Sequence, residues 1–134
     1  MMDKIILNTK KKFELIDITK DVEKIISKQE IKEGFCILYV PHATASIIIN
    51  ESHDPNVKRD IINILAKLVP DNGKYLHDKI DGNAQAHIKA SLLPTSQILL
   101  IEKNKLKLGT WQEIQFVELD GPRSDRTILI KIIK

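Results

Sequence analysis

The chain carries four histidines, His42, His53, His77 and His87, the side chains best suited to move protons or hold a transition metal near neutral pH. His42 follows the strand-breaking Pro41 in Pro41-His42-Ala43-Thr44-Ala45. A polar ring where a buried strand emerges is a common place for a ligand or an acid/base, and the plainer reading is a half-exposed loop residue. His77-Asp78 and Asp81-Gly82-Asn83 fall in an aperiodic stretch, and His87 follows on an alanine-rich segment. A loop rich in His, Asp, Asn and Gly in so small a chain suggests a site or a lid. The His77 and His87 spacing matches no local zinc motif, so a metal centre would have to be assembled in three dimensions. His42, His77 and His87 with an open fourth position would suit a catalytic zinc ion, with Glu51 activating its water. In Asn50-Glu51-Ser52-His53-Asp54, Asp54 reads as a helix cap ahead of Pro55. Glu51 is the more interesting carboxylate, because it emerges beside the His42 loop if the two strands pair. His53 reads as solvated and Asp60 as a surface charge. Gln112 could face a ligand, while Trp111 reads as a core anchor. Arg123 lies in the turn Asp120-Gly121-Pro122-Arg123-Ser124-Asp125-Arg126; its fork suits phosphate or carboxylate, although such turns are more often solvated hairpin ends. Neither a P-loop nor a dinucleotide-binding glycine fingerprint is present.

The elements that must position these groups follow from apolar periodicity. Ile5-Leu7 and Phe13-Ile18 flank a lysine turn and suggest an opening hairpin. Thr19 is placed to cap a helix whose apolar face holds Val22, Ile25 and Ile26, with Gly34 as its stop. Phe35-Val40 and Ala45-Asn50 read as strands. Val57, Ile61, Ile64, Leu65 and Leu68 recur at helical spacing and end at Pro70. Lys74-Asn83 reads as a loop and Ala84-Leu93 as a short helix. The last third is a meander of Gln97-Ile101, Leu106-Leu108, Trp111-Leu119 and Thr127-Ile133, whose short turns favour antiparallel pairing. Helices in the middle and strands on both sides predict an α+β domain rather than an alternating α/β pattern.

Composition bounds what that domain can be. At 134 residues, with 43% hydrophobic and 29% charged, the chain has the size and balance of one globular domain, 1–134. A net charge of +3 is too mild to argue for nucleic acid, and Lys10-Lys11-Lys12 reads as a solvated turn. The one cysteine, Cys36, sits in an apolar run and reads as a buried structural thiol. No signal peptide is recognisable, and no apolar run approaches the roughly 20 residues of a membrane span. The expectation is a cytoplasmic protein with no membrane partner.

Taken together, the motifs resemble those of the YjbQ family, often labelled secondary thiamine-phosphate synthase. The matching stretches are Pro41-His42-Ala43-Thr44-Ala45 with Ile49-Asn50-Glu51, Asp54-Pro55-Asn56-Val57 with Asp60, and Val69-Pro70-Asp71-Asn72 with His77-Asp78. They continue through Asp81-Gly82-Asn83-Ala84, His87-Ile88-Lys89-Ala90-Ser91-Leu92, Leu108-Gly109-Thr110-Trp111-Gln112 and Asp120-Gly121-Pro122-Arg123. The order is kept over nearly the whole chain. His53, where a smaller or amide side chain is expected, and Glu113, where glycine is usual, depart from the pattern.

The resemblance implies an α+β fold with a mostly antiparallel curved sheet, assembled as a homotrimer, and a polar cleft near the subunit contacts carrying His42, Glu51, His77 and His87. It also implies a weak thiamine-phosphate synthase activity, joining a pyrimidine methyl diphosphate to a thiazole phosphate with release of pyrophosphate. In that reading Lys89, Arg123 and a divalent metal stabilise the leaving charge and histidines handle protons, with Asn50 and Gln112 as further ligand contacts. Pyrophosphate chemistry normally uses magnesium on carboxylates, whereas imidazoles favour zinc, the metal these residue types predict. Two alternatives stand beside it. One is a metal-dependent hydrolase on His42, His77 and His87; the other is a non-enzymatic trimeric module binding a small phosphorylated or anionic molecule.

Overall fold

In the computed structural model, which describes residues 2–134, the chain is an α+β domain of eight strands and three α-helices. The strands are β1 (Asp3–Leu7), β2 (Glu14–Asp17), β3 (Glu33–Tyr39), β4 (Ala45–Asn50), β5 (Ser96–Glu102), β6 (Lys105–Leu106), β7 (Glu113–Glu118) and β8 (Arg126–Ile133). The helices are α1 (Thr19–Ser27), α2 (Pro55–Leu68) and α3 (Ala84–Leu92), with a 3₁₀ turn at Leu76–Lys79.

Two antiparallel sheets form, with strand orders β1-β8-β3-β5-β6 and β2-β7-β4. Alternation decides which side chains meet between them. Cys36 and Leu38 of β3, Leu99 and Ile101 of β5, and Ile128 and Ile130 of β8 face Ala45 and Ile47 of β4 and Ile114 and Phe116 of β7, with Val22 and Ile26 of α1 closing one end. The opposite face of the smaller sheet holds Leu15 and Val117, covered by Ala86 and Ala90 of α3 and by Ile61 and Ile62 of α2. Ile47 N–H on the Pro94 carbonyl and Gln97 Nε2 on the Ile47 carbonyl join β4 to the start of β5, so the two sheets close along that side.

Several local expectations change. β1 and β2 do not form a hairpin: β1 pairs with β8 and β2 with β7, because each strand's apolar face is completed by a distant strand. Thr19 does not cap α1; its hydroxyl accepts from Ile114 N–H at 2.8 Å, while Asp17 accepts from Thr19 N–H at 2.9 Å. Gly34 lies inside β3, where an added Cβ would meet the Ile133 carbonyl oxygen at 2.3 Å. The turn before β6 is tight, with Lys103 and Asn104 both at positive φ, so β6 starts at Lys105 and ends at Leu106. Trp111 is not a core anchor; it precedes β7 and is 63% exposed. Asp54 does cap α2, accepting from Asn56 N–H at 2.8 Å, with Pro55 behind it.

Candidate functional site

On β7 the core-facing parity runs Ile114, Phe116, Glu118, and on β8 it runs Arg126, Ile128, Ile130. Two opposite charges thus stand at inward positions, where a charge persists only if paired and hydrogen-bonded. Glu118 and Arg126, 0% and 6% exposed, form that pair through Arg126 Nε on Glu118 Oε1 at 2.9 Å. Arg126 also donates to the Thr44 carbonyl and hydroxyl, and Thr9 Oγ1 donates to Glu118 at 2.6 Å. Burial alone would push the Glu118 carboxyl up, but donation from Arg126, Thr9 and Asp120 N–H outweighs it and holds the group below its ordinary value. Sequence reading passed over this pair. The signal that would have found it is a charge breaking each inward apolar alternation.

The pair anchors two loops. Arg123 N–H donates to Thr9 Oγ1 at 2.9 Å, and Thr9 N–H to the Arg123 carbonyl at 2.8 Å, which fixes the turn after β7. Within it the Arg123 fork binds the Asp120 carbonyl and carboxylate at 3.0 and 2.7 Å, and Asn83 Nδ2 reaches the same carboxylate at 2.9 Å. Arg123 remains half exposed, with guanidinium donors free to meet an anion. On the other loop His42 is half-buried and its Nε2 accepts from Thr127 N–H at 2.9 Å. Burial and the neighbouring Arg126 charge draw its pKa below the ordinary value, against the pull of Glu118. The Thr127 donor keeps Nε2 unprotonated, so any proton or ligand exchange at His42 uses Nδ1.

His77 and His87 do meet. The 3₁₀ turn and α3 bring their rings to 4.8 Å between centroids, edge to face at 87°. His77 Nε2 is enclosed without a hydrogen-bond partner and lies 3.6 Å from Asp81 Oδ2. Asp78 holds the start of α3 by accepting from Ala84 N–H at 2.9 Å. Asn83 joins the histidine pair to the Arg123 turn, its side chain on Asp120 and its carbonyl accepting from His87 N–H at 3.4 Å, so His77, His87, Asp81, Asn83, Asp120 and Arg123 form one polar end of the domain.

Glu51 does not join them within one chain. β3 and β4 belong to different sheets, so the pairing that would have set Glu51 beside His42 is absent. Thr44, just before β4, touches Arg126, whereas Glu51 lies just past the far end of that strand, roughly 23 Å away at about 3.3 Å per strand residue. Asn50 accepts from Glu51 N–H at 2.7 Å, and Gln112 accepts from Gly109 N–H at 2.8 Å at that same far end. There Ser52 Oγ meets Asp17 at 2.5 Å and also Glu113, and the His53 and Trp111 rings lie 6.3 Å apart. Lys89 is 1% exposed on the inward face of α3 rather than free on the surface. Among the described residues no three His, Cys, Asp or Glu side chains converge in a metal-holding arrangement. One chain therefore supplies the two imidazoles of His77 and His87 but does not complete a three-histidine site.

The two-sheet scaffold is matched over nearly the whole chain by known proteins. The family model described as UPF0047 protein YjbQ-like matches residues 3–134. The chain belongs to the YjbQ-like UPF0047 family. The UPF0047 protein of Methanocaldococcus jannaschii is 48% identical over 133 residues, covering 99% of this chain and 94% of that one. The family member YugU of Bacillus subtilis is 41% identical over 133 residues, with 99% of both chains covered. A YjbQ/UPF0047 crystal structure from Clostridium acetobutylicum superposes with a TM-score of 0.93 at 47% identity, covering 98% of this chain and 99% of that one. A YjbQ-like protein of unknown function from Sulfolobus solfataricus gives 0.95 at 41% identity, covering 98% and 95%. No helix of the described residues is long and apolar enough to cross a membrane.

Proposed function

We propose that this UPF0047 protein acts on a small phosphorylated molecule at the His77–His87 end, with a transferase reaction of the thiamine-phosphate synthase type as its specific form. The observation that carries this reading is the edge-to-face imidazole pair sharing one polar end with the half-free Arg123 fork. In the reaction the bond between the pyrimidine methylene carbon and the diphosphate oxygen breaks. The thiazole nitrogen lone pair forms the new carbon–nitrogen bond, and pyrophosphate leaves with the bonding electrons. Arg123 binds the leaving anion, and a protonated His77 or His87 donates a proton to it. A bound divalent metal would add charge stabilisation there. The experiment is an assay of untagged protein with the two precursors. His87→Ala and Arg123→Ala should each slow product formation by about 100-fold or more. Rates equal to wild type would mean that the activity arises elsewhere.

The enclosed, unpartnered His77 Nε2 favours a second reading, a metal-dependent hydrolase with zinc rather than magnesium on His77 and His87. In the fuller form His42 is the third ligand and Glu51 the general base. On one chain neither reaches the pair, so that form rests on a neighbouring subunit. Elemental analysis of untagged protein decides it: zinc at one per chain, lost in His87→Ala, is expected, and no copurifying transition metal would end it.

Self-association, for which the resemblance implies a trimer, is supported by the outer face of the larger sheet. Cross-strand register puts Phe35, Ile37, Tyr39, Ile98 and Leu100 on one side, flanked by Leu129, Lys131 and Ile133 of β8, and Ile98 and Leu100 are 66% and 63% exposed. Contiguous apolar surface of this kind marks a contact between proteins, here with further copies of the chain. Leu100→Lys should shift the sedimentation coefficient from trimer towards monomer, and a monomeric wild type would refute the assembly.

A further inference from the structure

Lys89 is the largest of the side chains buried to under 2% exposure, at 1%. A buried lysine ordinarily carries a carboxylate partner, yet among the described residues it makes no ion pair. Its Nζ instead stands 4.0 Å from the centre of the Phe13 ring. The surrounding slot is formed by Phe13, Leu15, Ile62, Leu65, Val117 and Leu119, with Glu118 at its edge. Glu118 is already committed to Arg126 and Thr9, so it does not serve the amine. The room inside is about 10 Å³, space for roughly one water-sized group. Lys89 Nζ makes no side-chain hydrogen bond and yet is not among the enclosed polar atoms that lack a partner, so part of the 1% of surface that the residue keeps lies at its tip. On the same ring stands a second amine, Lys12 Nζ, 5.5 Å from the centroid, itself half exposed and paired with Asp71.

We propose that Lys89 is a carbonyl-capturing amine for a small aldehyde acid, whose carbonyl carbon enters the slot while its carboxylate pairs with Lys12. The Nζ lone pair attacks the carbonyl carbon. The resulting carbinolamine expels its oxygen as water, both protons of the amine leave with that water, and a Lys89 imine remains, with no oxidant or reductant required. An amine must be uncharged to attack, and burial draws the Lys89 pKa below the ordinary lysine value, with the Lys12 charge adding to that and Asp71 opposing it.

The test treats the full chain at neutral pH with glyoxylate and cyanoborohydride, which reduces any imine to a stable carboxymethyl-lysine, and maps the adducts by peptide mass spectrometry. Lys89 should react several-fold faster than the exposed Lys24 and Lys67, since a lysine with a depressed pKa holds a larger fraction of free amine at neutral pH. A Lys89 that stays unmodified, or reacts no faster than those two, overturns the proposal. Lys12→Gln, a change at an exposed side chain, tests the ligand class. The ratio of the glyoxylate rate to that of uncharged glycolaldehyde should fall several-fold, and an unchanged ratio removes the carboxylate assignment and with it the proposed ligand.

Discussion

Replacing Glu118 by glutamine should destabilise the domain by about 3–5 kcal/mol, because it leaves the Arg126 guanidinium buried without its counter-charge. Arg126 is 6% exposed and Glu118 0%, so water cannot take over the lost partner. Urea unfolding measures the effect as a lower midpoint at unchanged slope. The variant Glu118→Gln/Arg126→Met should cost less than the sum of its two single changes, since removing both charges leaves no orphan ion. A pH series gives an independent reading. The folded carboxyl is held below its ordinary 4.5, so its stabilisation is fully present above that pH and is lost as pH falls through the lower folded value. Wild type should therefore lose stability in acid more steeply than Glu118→Gln. Identical acid limbs, or a cost below about 1 kcal/mol as for an exposed pair, would show that the charges are not paired in the core.

The second large effect belongs to Gly121, which lets the Arg123 turn close against the chain ahead of β2. A Cβ there would lie 2.1 Å from the Lys11 carbonyl oxygen, 2.8 Å from Glu118 Cγ and 3.0 Å from Thr9 Oγ1. The first of these is backbone, and Gly121 N–H is itself bonded to the Lys12 carbonyl at 3.0 Å, so the turn must move. Gly121→Ala should cost about 1–3 kcal/mol and, under the proposed function, weaken pyrophosphate binding in a calorimetric titration, because Arg123 moves with the turn. Gly109→Ala is the matched control. Its nearest neighbour would be Gln112 Oε1 at 3.2 Å, the end of a flexible exposed side chain that can swing aside. Equal behaviour of the two variants would count against the anchoring role of Gly121.

Much of the scaffold was legible from local pattern. Periodicity placed α2 between the Asp54 cap and Pro70, and alanine content placed α3 from Ala84, because capping, helical spacing and composition are properties of neighbouring residues. Apolar and β-branched runs marked β3, β4, β5 and β8 for the same reason. The resemblance on the motifs from Pro41 to Arg123 reached the family that the whole-chain match shows. Pairing was not legible. Nothing near β1 or β2 specifies that their partners are β8 and β7, more than a hundred residues on in register pairs such as Leu7 with Arg126 and Glu14 with Glu118.

The same division runs through the candidate site. Sequence alone determined which side chains could do chemistry: the imidazoles, the Arg123 fork and the carboxylates, whose reactivity is a matter of residue type. Only the tertiary structure decided their company. It set His77 against His87, turned the His42 Nε2 onto Thr127 N–H, and buried Lys89 on Phe13. It also carried Glu51 to the opposite end of β4, because β3 and β4 entered different sheets. A side chain's type is carried by the residue itself, whereas its neighbours and pKa depend on strand pairings that close long loops and leave no local signature.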